Sequence, residues 1–167
     1  MGHCFEETLV EQCAPTLAGL KPASLFRWQG AAPFLHWAKK LAPYGIAIRI
    51  LKAQAGACLI CLYRAGWLRQ ILAEPSNQAF LQRHGYQTGQ GCGSLLEQLS
   101  RRLEVGFPHE IGLFLGYPLE DVEGFIQNQG RNYTACGCWK VYGDPHAAQE
   151  RFDCYRRCTA LCRERFR

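Results

Sequence analysis

Two cysteine spacings, one His-Glu pair and a few lysines set beside aromatic residues are the parts of this sequence that could do chemistry. His109-Glu110 is the best acid/base candidate, because a histidine titrates near neutrality and a carboxylate can orient or charge it. Consecutive residues of a helix do not face one another, so first-turn decoration, with Glu110 favouring the helix dipole, competes with that reading. Cys136-Gly137-Cys138 places two thiols two residues apart. On a strand such residues share a face, and Lys140 and Tyr142 fall on the face of Cys138. A nearby lysine can activate a thiol, which makes Cys138 a candidate nucleophile, and Cys136 with Cys138 a minimal soft-metal pair. Cys58-Leu59-Ile60-Cys61 is the opposite case, since residues three apart on a strand point to opposite faces and cannot share one ion. Cys154, Cys158 and Cys162 lie four apart, a broad stripe on a helix beside Phe152, Tyr155 and Phe166, better suited to packing than to metal.

Anion recognition has two candidate loops. Lys21-Pro22-Ala23-Ser24 offers a charge and a hydroxyl. Gly89-Gln90-Gly91-Cys92-Gly93-Ser94 is glycine-rich and feeds a helix, but it lacks the lysine of a phosphate-binding loop and no strand precedes it. Taken together, Lys21, Ser24, His109, Glu110, Lys140 and Tyr142 are the expected ligand-binding residues, and a small anionic ligand is the expected partner. The cofactor is unknown from the sequence.

The block Phe107-Pro108-His109-Glu110-Ile111-Gly112-Leu113-Phe114-Leu115-Gly116-Tyr117-Pro118-Leu119-Glu120-Asp121-Val122-Glu123-Gly124-Phe125 is the most patterned stretch. Gly116 at a turn, with Gly112 before it and Val122 after it, matches the spacing of a helix-turn-helix. A helix that approaches phosphates needs positive charge, and this one carries Glu120, Asp121 and Glu123, so nucleic acid is not the expected partner.

The elements that must hold these residues can be read from periodicity. Residues 4–13 form an amphipathic helix ended by Pro15 and Gly19, and a loop runs over Gly19–Phe26. Phe34, Trp37, Ala38 and Leu41 put a helix over 32–42. Residues 46–52 and 57–64 form a strand hairpin turned by Ala55-Gly56; both strands are apolar on two faces, which predicts central places in a sheet. Helices follow at 66–73 and 77–84, broken at Pro75. A helix capped by Ser94 runs to about 104, and the two helices of the patterned block start at Pro108 and Pro118. Cys136–Tyr142 is a third strand returning to the sheet. Asp144 caps a last helix over about 145–166 with Pro145 in its first position. The expectation is an α+β domain covering 1–167: a small, mainly antiparallel sheet of about three strands surrounded by seven or eight helices.

Composition narrows the class. Of 167 residues 48% are hydrophobic, which excludes disorder. No stretch approaches the roughly 18 apolar residues of a membrane span. The start Met1-Gly2-His3-Cys4-Phe5-Glu6 lacks the basic flank and apolar core of a secretion signal, and Glu6 stands where myristoylation of Gly2 expects Ser or Thr. The cytoplasm is therefore expected, and the ten cysteines of this cysteine-rich chain are expected as free thiols. The net charge of +5 sits mostly in residues 151–167, where six arginines face Asp153 and Glu164.

Lys21-Pro22-Ala23-Ser24-Leu25-Phe26, the 107–125 block and Gly137-Cys138-Trp139-Lys140-Val141-Tyr142-Gly143-Asp144 together resemble the DUF3793 family, an uncharacterised group from anaerobic Firmicutes. The resemblance spans most of the chain and implies a stand-alone cytoplasmic domain, with no catalytic residues to carry over. The leading functional expectation is a cytosolic ligand-binding or regulatory domain whose pocket forms where Lys21, His109 and Lys140 meet. The alternatives are an enzyme using His109/Glu110 proton transfer or the Cys138 thiol, and a DNA-binding regulator.

Overall fold

A computed structural model describes residues 4–166, the side chain of Phe166 excepted. Gly2 and that side chain, both read above, lie outside the described residues. In chain order the elements are α1 (Phe5–Leu17), β1 (Ala23–Gln29), α2 (Phe34–Leu41), a 3₁₀ turn (Ala42–Tyr44), β2 (Ile46–Gln54) and β3 (Ala57–Arg64). The helices α3 (Ala65–Ala73), α4 (Pro75–Arg83), α5 (Cys92–Val105), α6 (Ile111–Phe114) and α7 (Leu119–Asn128) follow. The short strands β4 (Ala135–Cys136) and β5 (Lys140–Val141) then precede α8 (Pro145–Phe166). The described residues thus form eight α-helices, a three-stranded antiparallel sheet and a two-stranded one, an α+β fold.

The β2–β3 hairpin forms where the alternating isoleucines place it. Ala55 and Gly56 both have positive φ (52° and 77°), the geometry a two-residue hairpin turn requires. The strand order is β1-β3-β2. The two-sided apolar pattern of β3 therefore does mark the centre, whereas β2 is an edge with a bulge between Ile50 and Lys52. The third strand of this sheet is not Cys136–Tyr142 but β1, which begins inside the segment read as a loop, Gly19–Phe26, and continues past it. It pairs with β3 from Ala23↔Tyr63 to Gln29↔Ala57. Cys136–Tyr142 cannot return to the sheet because its chain reverses at 137–139, making the separate β4–β5 hairpin.

The sheet separates two cores. Phe5, Leu9, Cys13, Phe26, Ile48 and Ile60 pack under α1 and α2. Leu51, Cys61, Leu68, Phe80, Leu99 and Phe114 pack under the helices of the other face. Cys58 contacts the first core and Cys61 belongs to the second, as the strand period dictates for a C-x-x-C on β3.

Three helix boundaries differ from the sequence expectation. α1 continues through Pro15 to Leu17, and its last carbonyls are capped from the sheet: Arg64 Nε donates to Thr16 O (2.8 Å) and Arg64 Nη2 to Leu17 O (2.7 Å). α5 begins at Cys92 with Gly91 (φ 89°) as the preceding residue, so Ser94 lies inside the helix rather than capping it. α6 is a single turn that starts at Ile111, leaving His109 and Glu110 in the turn that follows Pro108. α8 starts as expected, with Asp144 Oδ1 accepting from His146 N at 2.9 Å. It packs on α1, and Arg163 is ion-paired to Glu11.

Between α6 and α7, Gly116 holds φ 81° and lies so close to Pro22 that a Cβ would overlap the proline ring. Gly116→Ala should therefore destabilise the fold by about 2–4 kcal/mol, from left-handed backbone strain plus overpacking. A urea-denaturation midpoint unchanged from wild type would show that the Pro22 contact yields freely.

Candidate functional site

The site starts from a buried carboxylate. Asp121, in the first turn of α7, is 3% exposed. Its Oδ2 accepts from Trp139 Nε1 (2.8 Å), and its Oδ1 accepts from Tyr142 N (2.8 Å) and Gly143 N (2.9 Å). A buried carboxylate is tolerated when its lone pairs are filled by such donors. These bonds pin the β4–β5 hairpin to α7. Gly124 lies against Tyr142 and Gly143 against Glu120, each without room for a Cβ. Behind the hairpin, Trp139 stacks on Tyr117 (4.7 Å, 24°) and meets Phe152 of α8 edge-on (4.6 Å, 80°). Arg151 covers the Trp139 ring at 5.0 Å and its Nη2 donates to Gly116 O at 3.3 Å.

This arrangement leaves a cavity of about 440 Å³ between the start of β1, α6, α7 and the hairpin. Ile111, Leu115, Val122, Phe107 and Phe125 supply apolar wall, and Lys21, His109, Cys136, Cys138 and Lys140 supply the polar groups. Three residues far apart in sequence, Lys21, His109 and Lys140, thus line one space. The His109 ring lies beside Phe125 (4.9 Å) and Phe107 (6.0 Å). Lys140 Nζ donates to Gly130 O (2.7 Å), capping the end of α7, and sits over the rings of Tyr133 (5.0 Å) and Phe125 (5.8 Å).

Lys21 is placed differently. Among the described residues its ammonium has no hydrogen-bond or carboxylate partner; the rings of Tyr117 (6.0 Å) and Tyr155 (5.9 Å) are beside it. Burial pushes its pKa down from the ordinary lysine value, partly offset by the neighbouring Cys138 sulfur, whose negative charge would favour the ammonium. Lys21 and Cys138 also line a second cleft of about 400 Å³, with Ser24, Tyr155, Arg156 and Arg163. They form the partition between the two spaces.

The remaining expected residues lie outside the main cavity. Ser24 is buried and its hydroxyl is hydrogen-bonded to that of Thr16 (2.7 Å), facing the second cleft. Tyr142 turns its hydroxyl to Arg131 O (2.8 Å). Glu110 is 7% exposed and points away from His109: its Oε1 accepts from Tyr86 Oη (3.1 Å) and Arg102 Nη1 (3.3 Å), while Arg102 covers the Tyr86 ring at 3.9 Å. Desolvation, with the Glu110 charge beside it, pushes the Tyr86 phenol up. His109 and Glu110 therefore do not act as a pair, because adjacent residues of a turn face apart. The acidic face expected on α7 is also absent. Asp121 is buried, Glu123 is bonded by Arg83 (2.7 Å), and only Glu120 is exposed. The face of α7 near its start carries the hairpin instead.

Among the described residues no group of three His, Cys, Asp or Glu side chains is arranged to hold a metal ion. Cys154, Cys158 and Cys162 are half-buried, and burial next to Cys162 raises the Cys158 thiol pKa. No helix among the described residues is long and apolar enough to cross a membrane.

A family model described as "Protein of unknown function (DUF3793)" matches residues 9–167. The chain belongs to this family. No curated protein and no solved structure matches it. The family match takes in all three motifs that meet at this cavity: the Lys21–Phe26 segment, the 107–125 block and the 137–144 hairpin. Asp121, Tyr117, Trp139 and Arg151 are the members of the site that sequence reasoning missed. A tryptophan within a short strand and a carboxylate next to the core residue Val122 were the available signals, since a buried indole N–H needs an acceptor.

Asp121→Ala leaves three donors unpaired and should cost about 3 kcal/mol or more. The loss is read from denaturant unfolding, with the change in Trp139 environment followed by fluorescence. A cost under about 0.5 kcal/mol, the level of an ordinary surface substitution, would remove Asp121 as the anchor of the hairpin.

Proposed function

We propose that this protein is a cytoplasmic ligand-binding domain whose cavity takes a small anion with an apolar body. The observation that carries this reading is Lys21, a half-buried ammonium without an acceptor among the described residues, opening on a mostly apolar cavity. An unpaired cation in such surroundings is costly, and an anionic ligand group removes the cost. Lys140, which lines the same cavity, adds positive potential, and the Phe107, Phe125 and Leu115 side chains suit an aromatic or acyl body. Catalysis by His109 is the weaker reading, because its ring lies between phenyl groups and has no hydrogen-bonding group to orient it among the described residues.

A thermal-shift panel of aromatic and short-chain carboxylates and phosphate monoesters tests the proposal. At least one member should raise the melting temperature, and Lys21→Met should weaken its affinity by about tenfold, the equivalent of 1.4 kcal/mol. If no anion shifts the transition, or if Lys21→Met binds equally well, the cavity is not an anion site.

The pH dependence has a definite sign. Lys21 must be protonated to hold the anion, and burial sets its free-state pKa below the ordinary lysine value. Affinity should be full at neutral pH and fall as pH rises through that lowered pKa, earlier than a surface lysine would allow. Isothermal titration across the alkaline range checks it, and a flat profile in wild type would exclude Lys21 as the contact.

A further inference from the structure

The cysteines that flank the hairpin turn have a setting unlike the other eight. Cys136 ends β4 and Cys138 lies within the three-residue reversal that brings Cys136 opposite Lys140. The turn is held from its inner side. Trp139 is buried with its N–H on Asp121, and Gly137 lies so close to the Phe152 ring that a Cβ would overlap it. Both cysteines are exposed, both line the 440 Å³ cavity, and Cys138 also lines the second cleft. They stand two residues apart across a reversing chain, and closing a disulfide asks for Cα atoms about 4.4–6.8 Å apart. The contrast is sharp with Cys13 and Cys61, which are buried and whose thiols are pushed up to about 12 by desolvation. Cys4 is exposed as well, but it lies far from this cavity, at the start of α1.

We infer that Cys136 and Cys138 form a dithiol that exchanges with small disulfides at the cavity wall, Cys138 attacking and Cys136 resolving. The Cys138 thiolate attacks one sulfur of the small disulfide. That S–S bond breaks, a mixed disulfide forms, and the departing thiolate takes up the proton released from Cys138. Cys136, losing its own proton in turn, then attacks the Cys138 sulfur and releases the second small thiol. In sum one disulfide is reduced to two thiols, and the Cys136/Cys138 pair is oxidised to an intramolecular disulfide. Cys138 is assigned the first step because it borders both spaces, so a disulfide can reach it from either one, and it lines each of them together with Lys21. The inference is independent of the anion-binding reading, since it needs no ligand other than the disulfide.

The test uses the full reduced chain and glutathione disulfide, with timed acid quenching, alkylation and tryptic mass mapping. Cleavage after Arg131 and Lys140 yields peptide 132–140, which holds these two cysteines and no other. Its conversion to the form lacking two hydrogens should run about tenfold faster than glutathione addition to Cys4. Cys136→Ser should stop the reaction at a glutathione adduct on Cys138, and Lys21→Met should slow closure of the wild-type pair severalfold. Reaction of Cys4 as fast as the pair, or a peptide carrying two glutathiones without closing, would overturn the assignment. Melting shifts with anions, measured on the wild-type chain kept reduced, report on the anion site separately, so failure of one reading leaves the other open to its own result.

Discussion

The site depends on one buried carboxylate. Removing an ionised group from water costs several kcal/mol, so Asp121 is stable in its place only while Trp139, Tyr142 and Gly143 supply their N–H groups. That requirement runs in both directions. A hairpin with two paired residues per strand has too little ladder to be stable alone, and it persists here because its far side is bonded to α7 and its tryptophan is buried against α8. The cavity wall is therefore a surface that α7 and α8 define jointly. The same logic extends to the third motif, where Gly116 lets Pro22 approach and so brings Lys21 to the cavity.

The charges around this frame explain why one of them stands out. Arg64 is engaged with the end of α1, Arg102 with Glu110, Arg151 with the Gly116 carbonyl and Lys140 with the Gly130 carbonyl. Each of these cations satisfies a carbonyl or a carboxylate and so serves the fold. Lys21 has aromatic faces and a thiol as neighbours instead. Aromatic faces attract a cation without neutralising it, which leaves the ammonium able to take an anion without breaking a structural contact.

Local pattern made some of this legible in the sequence, and long-range pairing hid the rest. The β2–β3 hairpin and the Asp144-Pro145 start of α8 rest on short-range signals, and both formed as read. β1 was hidden because Gly19, Pro22 and Ser24 are turn-forming types; what makes it a strand is β3, whose partner residues lie between 28 (Gln29↔Ala57) and 40 (Ala23↔Tyr63) positions away. Cys136–Tyr142 shows the converse error. Trp139 and Val141 are buried and Lys140 between them is not, as strand alternation dictates, yet Gly137 reverses the chain where continuity was expected. At the site, the meeting of Lys21, His109 and Lys140 was anticipated, but the roles of the acids were not. Glu110 was expected at the cavity and is locked behind it, and Asp121 was expected at the surface and is buried. Residue type alone does not tell which carboxylate will find its donors.

That exchange of roles bears on chemistry. Proton transfer needs a base whose partner fixes its tautomer and aim, and the carboxylate adjacent in sequence to His109 is committed to Tyr86 and Arg102. The imidazole is left as a polarisable wall between two phenyl rings, suited to contact with a ligand body. On the dithiol proposal, the cavity's reactive groups are its sulfurs. Cys138 borders both spaces, lines them together with Lys21, and has a second thiol two residues away on a turn that Trp139 and Gly137 hold in place. On the readings proposed above, a binding cleft and a thiol pair share one wall, because Cys138 and Lys21 line the same two spaces.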